Sequence, residues 1–252
     1  GIFEPIWNRK YIDSVYIEAT ETIGVENRSK YFDKAGIVKD MMQSHLLQLM
    51  AIVAMDLPKA FNAEAIRDQK VSVFKAIDKK IFRKKIDDYY IKGQYDGYLD
   101  EPGVEPDSKT PTFAAMKIFI DNRRWKKVPF YLVTGKKMKE ASVQIVINFK
   151  EPAIKLFGSQ HHSCGMQNQI RILIQPNEKI CLRFGAKKPG EGMVLEPVNM
   201  KFEYKHAFEE ETVPSYTRLL LDIFKGDQSL FARNDGVENS WKAIDSYEKA
   251  SC

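Results

Sequence analysis

Cysteine is scarce: Cys164, Cys181 and Cys252 are three in 252 residues, widely spaced and odd in number. Three scattered thiols cannot make a disulfide framework, and they suit a reducing compartment, so the expected location is cytoplasmic. Long apolar runs are missing as well. No uninterrupted stretch approaches the roughly 20 residues that cross a bilayer. The opening Gly1-Ile2-Phe3-Glu4-Pro5 lacks the basic-then-apolar pattern of a secretion signal. Neither charge dominates: 39 Lys and Arg face 34 Asp and Glu, a net +5 with both signs mixed along the chain. The densest basic stretch is Lys79-Lys80 and Arg83-Lys84-Lys85, with Ile81 and Phe82 between. It has no nucleic-acid module beside it and reads as a solvated helix face. The partners expected are therefore neither nucleic acid nor membrane, while a small anionic ligand remains compatible.

Signatures of chemistry are also missing. Gly185-Ala186-Lys187-Lys188-Pro189-Gly190-Glu191-Gly192 is glycine-rich and basic, but Glu191 and Gly192 stand where a phosphate-cradling loop needs Lys and Ser or Thr. No strand-Gly-x-Gly-x-x-Gly-helix unit exists, so a dinucleotide fold is not encoded. His161, His162 and Cys164, with Cys181 as a further ligand, hint at metal. Adjacent histidines do not readily converge on one ion, however, and no second close-spaced pair completes the set. No metal site is expected. A Gly-x-Ser-x-Gly elbow is absent too.

What is present is a globular composition, 44% hydrophobic and 29% charged, long enough to bury a core. Val15, Ile17 and Ala19 alternate with Tyr16, Glu18 and Thr20, the mark of a half-buried strand. Residues 36–55 carry apolar side chains nearly all round a long helix that stops before Pro58. A second, amphipathic helix covers 63–77. Beyond Tyr95 the cluster Gly97, Pro102, Gly103, Pro106, Asp107 and Ser108 reads as loop. The period then becomes two, giving strands at 113–121, 129–134, 143–149, 169–175, 180–184 and 198–204. Pro176-Asn177-Glu178 is the turn between the fourth and fifth of these. Helices at 216–224 and 237–247 close the chain. Consecutive strands without intervening helices predict an α+β class: a large, mostly antiparallel β-sheet with helices covering one face, the whole of 1–252 being a single domain.

His45 stands out. It interrupts an apolar helix pattern between Ser44 and Leu46. Two readings stay open on the residues alone: a buried, hydrogen-bonded structural histidine, or a general base at the wall of a cleft.

Several stretches resemble the glucose-6-phosphate dehydrogenase family. Ile2-Phe3-Glu4-Pro5-Ile6-Trp7-Asn8-Arg9 is similar to the family's segment after its nucleotide domain. Tyr31-Phe32-Asp33, then Asp40-Met41-Met42-Gln43-Ser44-His45-Leu46-Leu47-Gln48, is similar to its catalytic helix. Ala65-Ile66-Arg67-Asp68, Arg124-Trp125, Val128-Pro129-Phe130, Gly135-Lys136, Gln175-Pro176-Asn177-Glu178 and Pro197-Val198-Asn199-Met200 follow in the family's order, as does the stretch 216–233.

The resemblance implies the substrate-binding and subunit-association domain of an NADP-dependent enzyme that oxidises glucose 6-phosphate to its lactone in the pentose phosphate pathway. It implies His45 as the base, Glu21 and Asp40 as sugar-binding carboxylates, and Lys136 and Gln175 at further substrate positions. A homodimer or higher homo-oligomer, joined through the sheet, is implied too. The family's Asp-His-Tyr-Leu-Gly-Lys segment and its dinucleotide fold, which would hold most of the NADP, are not among these residues. The isolated chain is therefore expected to be inactive, and the cofactor-contacting residues are unknown. Ala141 stands where the family carries Lys or Arg, with Lys139 the nearest substitute. The alternative is a non-catalytic hexose-phosphate-binding or assembly protein that keeps the fold. Asp40 and His45 also pose a geometric question. Five residues apart, they diverge by about 140° on an ideal α-helix. Serving one sugar requires a π-type bulge between them or a helix start near Asp40.

Overall fold

The structure, a computed structural model, describes residues 1–79, 86–151, 167–190, 194–208 and 214–251. Most of the basic cluster at 79–85 falls outside them, as do His161, His162, Cys164, Glu191, Gly192 and Cys252. Eight strands form one sheet: β1 (Ile12–Thr20), β2 (Tyr90–Gly93), β3 (Phe113–Phe119), β4 (Pro129–Gly135), β5 (Ser142–Phe149), β6 (Gln169–Gln175), β7 (Lys179–Lys187) and β8 (Leu195–Glu203). Their order across the sheet is β2-β3-β4-β1-β5-β6-β7-β8.

The mostly antiparallel expectation holds, with one exception that positions the site. β1 inserts between β4 and β5. It pairs antiparallel with β5 but parallel with β4, from Val15↔Phe130 to Thr20↔Gly135. Parallel neighbours finish at the same edge, so the residues that follow them, Glu21 and Lys136, come out side by side.

One sheet face carries the helices. Ile12, Val15 and Ile17 of β1, Ile118 of β3, and Phe130 and Leu132 of β4 are at most 1% exposed. Over this face run α1 (Ser29–Ile37), a π segment (Val38–Leu46) and α2 (Leu47–Ala54), then α3 (Ala63–Lys75) and the closing α6 (Asn234–Ala250). The single helix read at 36–55 is thus three pieces. Gly36 breaks α1 at φ 71°, ψ 161°, which frees the Ile37 N–H to bond the Pro111 carbonyl at 3.1 Å. The apolar encirclement of α2 is nearly complete, Ile52 alone standing out at 53% exposed. Two indoles satisfy the last carbonyls of α2: Trp7 Nε1 donates to Val53 O and Trp125 Nε1 to Ala54 O, both at 2.8 Å.

β2, a four-residue edge strand, gave no sequence signal, being too short for an alternating pattern. Cover thins toward the β8 edge: Ile170 of β6 is 3% exposed and β7 is half-buried along most of its length. β8 is exposed along most of its length, although Val198, Met200 and Phe202 continue the apolar face through their partners Phe184, Leu182 and Ile180. Two short helices, α4 (Tyr204–Ala207) and α5 (Ser215–Lys225), precede α6. α5 leaves Leu220, Leu221, Ile223 and Phe224 exposed.

Candidate active site

The strand ends build one side of the site. The Lys136 ammonium, whose side chain is 7% exposed, donates to Oε2 of Glu21, which is 35% exposed. Behind the ammonium lies the ring of Phe32 from α1, 5.3 Å away. A lysine carries three N–H donors and Glu21 takes one, so capacity remains for an anionic or hydroxylic ligand. Glu21 follows the inward parity of Val15, Ile17 and Ala19. The turn beyond Lys136 is stapled to the chain beside Glu21: Met138 N–H bonds Glu21 O and Lys137 N–H bonds Ile23 O, both at 2.9 Å.

Asp33 fixes the wall behind. It accepts from the hydroxyls of Tyr98 and Ser108 and from the Glu105 N–H. Burial alone would raise its carboxyl, but these donors together hold it below the ordinary aspartate value. Tyr98, raised chiefly by burial and next by its bond to Asp33, packs edge-on against Phe32 with ring centres 6.3 Å apart. A chain of contacts thus runs from the loop at 95–110 to the Lys136 ammonium.

The π segment supplies the other side and packs on β1 and β4. Its i→i+5 bonding is visible at its end, where the Leu47 N–H reaches the Met42 carbonyl. This wider turn brings residues five apart onto one face, which answers the divergence between Asp40 and His45. The break at Gly36 restarts the helix close to Asp40 as well, so both routes read from the sequence occur together. Met42, Gln43, Leu46 and Leu47 are buried; Asp40 is half-buried and His45 exposed. The structural-histidine reading of His45 is therefore set aside: its imidazole lies at the surface and makes no hydrogen bond among the described residues. Asp40 faces the Arg28 guanidinium at 3.6 Å, and Arg28 lies over the Tyr31 ring at 5.6 Å.

Gln175 ends β6, two strands from Glu21, a separation of about 10 Å at one strand spacing of roughly 4.8 Å. An irregularity in the ladder shifts the pairing from Gln144↔Leu173 to Val143↔Gln175. Plain alternation would put Gln175 with Arg171 and Leu173 on the face away from the helices. The extra residue instead sets it level with Val143, which pairs with Ala19 of β1. Gln175 and Ala141 are exposed, as is Lys139. Among the described residues, no group of three or more His, Cys, Asp or Glu side chains is placed to hold a metal ion.

Three contributors escaped the sequence reading. Arg28 is a basic residue in a polar stretch with no periodic signal. Phe32 looks like ordinary core. Gln43 reads as one more polar residue beside His45, and only the fold shows it pointing inward.

A family model for the glucose-6-phosphate dehydrogenase C-terminal domain matches residues 1–251. The glucose-6-phosphate 1-dehydrogenase of Borreliella burgdorferi is 42% identical over 254 residues, which cover 97% of this chain and 52% of that protein. The corresponding protein of Bacillus subtilis is 40% identical over 256 residues, covering 98% and 52%. A solved structure of glucose-6-phosphate dehydrogenase in complex with its substrate glucose-6-phosphate superposes with a TM-score of 0.88 at 36% identity, covering 98% of this chain and 51% of that one. The chain spans about half the length of the curated relatives it matches.

Proposed function

The chain belongs to the glucose-6-phosphate dehydrogenase C-terminal domain family, and from that membership we propose that it is the sugar-binding half of an NADP-dependent glucose-6-phosphate 1-dehydrogenase. The observation that carries the reading is the π segment, whose wider turn suits bringing Asp40 and His45 to one face and which packs on β1 and β4, the strands that lead into Glu21 and Lys136. NADP is the hydride acceptor in this chemistry. The described residues do not fit it: their one parallel strand pair ends in the Glu21–Lys136 ion pair rather than in a glycine-rich turn at a helix N-terminus. The dinucleotide half of the enzyme is then not built by the described residues.

On the sugar side the roles follow from the chemistry of the groups. His45 takes the proton of the C1 hydroxyl, which frees the oxygen lone pair to form the lactone carbonyl. Asp40 and Glu21 accept hydrogen bonds from sugar hydroxyls. Lys136, held from behind by Phe32, and Gln175 at the end of β6 donate to the substrate. The chain's scarce, scattered cysteines support a cytoplasmic location, and the family resemblance supports a role in the pentose phosphate pathway. The enzyme assembles as a homodimer or higher homo-oligomer through this end of the sheet, where the apolar side of the exposed strand β8 needs a cover.

Reaction requires sugar and nicotinamide to be held in contact. The pure 252-residue chain is expected to reduce no NADP with glucose 6-phosphate at any substrate level. Titration of the same chain with that sugar phosphate should shift NMR signals of Glu21, Asp40, His45 and Lys136. Turnover by the chain alone, or shifts centred elsewhere, would refute the reading.

A further inference from the structure

A π turn is rare, and nine residues of it need something to hold the register. The buried residues of the π segment are Val38, Met42, Gln43 and Leu46, so Gln43 is the one polar side chain among them. It is 7% exposed. Facing it is the inner stripe of α6: Gly236, Ser240, Ala243, Ile244 and Tyr247. Only Ser240 and Tyr247 bring polar side-chain atoms to that stripe. The Tyr247 hydroxyl donates to the Lys117 carbonyl at 3.0 Å, which leaves Ser240, fully buried, to meet Gln43. The Gln43 amide donates to Ser240 Oγ at 2.9 Å, and Ser240 Oγ donates onward to the Val237 carbonyl at 2.7 Å.

We propose that the Gln43–Ser240 hydrogen bond is a latch by which α6 holds the segment Val38–Leu46 in its π register, making Gln43 and Ser240 positioning residues for Asp40 and His45. The argument is one of alternatives. In an α-helical register the side chains at 40, 43 and 45 point in three different directions, and the direction of Gln43 cannot be kept independently of the other two. A buried amide is stable only where it finds its partner, so the fixed place of Ser240 on α6 penalises every register that turns Gln43 away. The two residues are 197 apart in sequence, which makes the site depend on docking of the last helix. Nothing in either residue's local sequence requires this. The catalytic consequence rests on the function proposed above; the register itself does not.

The test uses the intact enzyme with Ser240→Ala, Ser240→Thr and the double replacement Gln43→Leu with Ser240→Ala. Ser240→Ala strands a buried amide and should lower both Tm and kcat; Ser240→Thr, which keeps the hydroxyl, should restore both. The double variant replaces both polar groups by apolar ones, a change that can leave stability nearly unaltered. It should recover Tm yet keep a kcat about 10- to 100-fold low, the scale of a misplaced catalytic group, with KM little changed. Its crystal structure should have lost the Leu47 N–H to Met42 carbonyl bond. Persistence of that bond in the double variant overturns the latch, whatever the rate. Loss of the bond with kcat unchanged supports the latch and overturns the role given to His45.

Discussion

Ala141 stands exposed beside Ser142, the residue of β5 that pairs with Thr20, and so lies next to Glu21 along the site edge. A lysine there would face an anionic substrate with a charge that alanine lacks. The contact is worth roughly 1.5–3 kcal/mol, and it appears mainly in KM if it is equally strong in ground and transition states. Ala141→Lys in the intact enzyme is expected to lower KM for glucose 6-phosphate while leaving unphosphorylated glucose nearly unchanged. Lys139→Ala should raise KM for the phosphorylated sugar alone. Steady-state kinetics on the two sugars decides, and equal effects on both would make the edge at 139–141 irrelevant to phosphate. At this scale the sequence was partly legible. Strand parity gave the direction of Glu21, whereas Gln175 came from the family resemblance alone, because the extra residue in β6 that sets its face has no signature in composition. Arg28 was illegible for a similar reason: its contact with Asp40 exists only once the turn before α1 is folded.

The element that matters most is the helix broken twice. Its angular problem was visible from the spacing of Asp40 and His45, and the π segment is its solution. The position of the break was not visible, since glycine inside a helical pattern can equally be a tolerated defect. Gly36 has φ 71° and ψ 161°, a backbone region open almost solely to glycine. An added Cβ would meet Thr110 Cγ2 at 3.4 Å, an ordinary contact, so the cost of Gly36→Ala is conformational. It should reduce stability by about 1–3 kcal/mol, read from urea unfolding, and should reduce kcat as the π segment shifts. A variant as stable as the parent would show that the kink relaxes freely and does not position Asp40.

Across the whole molecule, the sheet is covered where the site lies and, among the described residues, becomes exposed at β8. The sequence conveyed most strands and helices, the short β2 and α4 among the exceptions, but not the order of the strands. The insertion of β1 between β4 and β5 depends on contacts among residues more than 100 apart. Met200, 62% exposed, and Phe202, 38% exposed, lie on the apolar side of β8. If that side joins two subunits, Met200→Glu together with Phe202→Glu should convert the dimer to monomers in analytical ultracentrifugation. An unchanged mass would move the interface elsewhere, to α5 with its exposed Leu220 and Phe224.

The central claim is that His45 acts on the proton of the sugar hydroxyl, and replacing it by asparagine in the intact enzyme tests this most directly. Asparagine retains hydrogen bonding and cannot serve as a base near neutral pH. The account predicts a fall in kcat of about 10²–10⁴-fold, with KM for glucose 6-phosphate close to its original value. A loss confined to KM would mean that His45 only holds the sugar, and unchanged kinetics would remove it from the site.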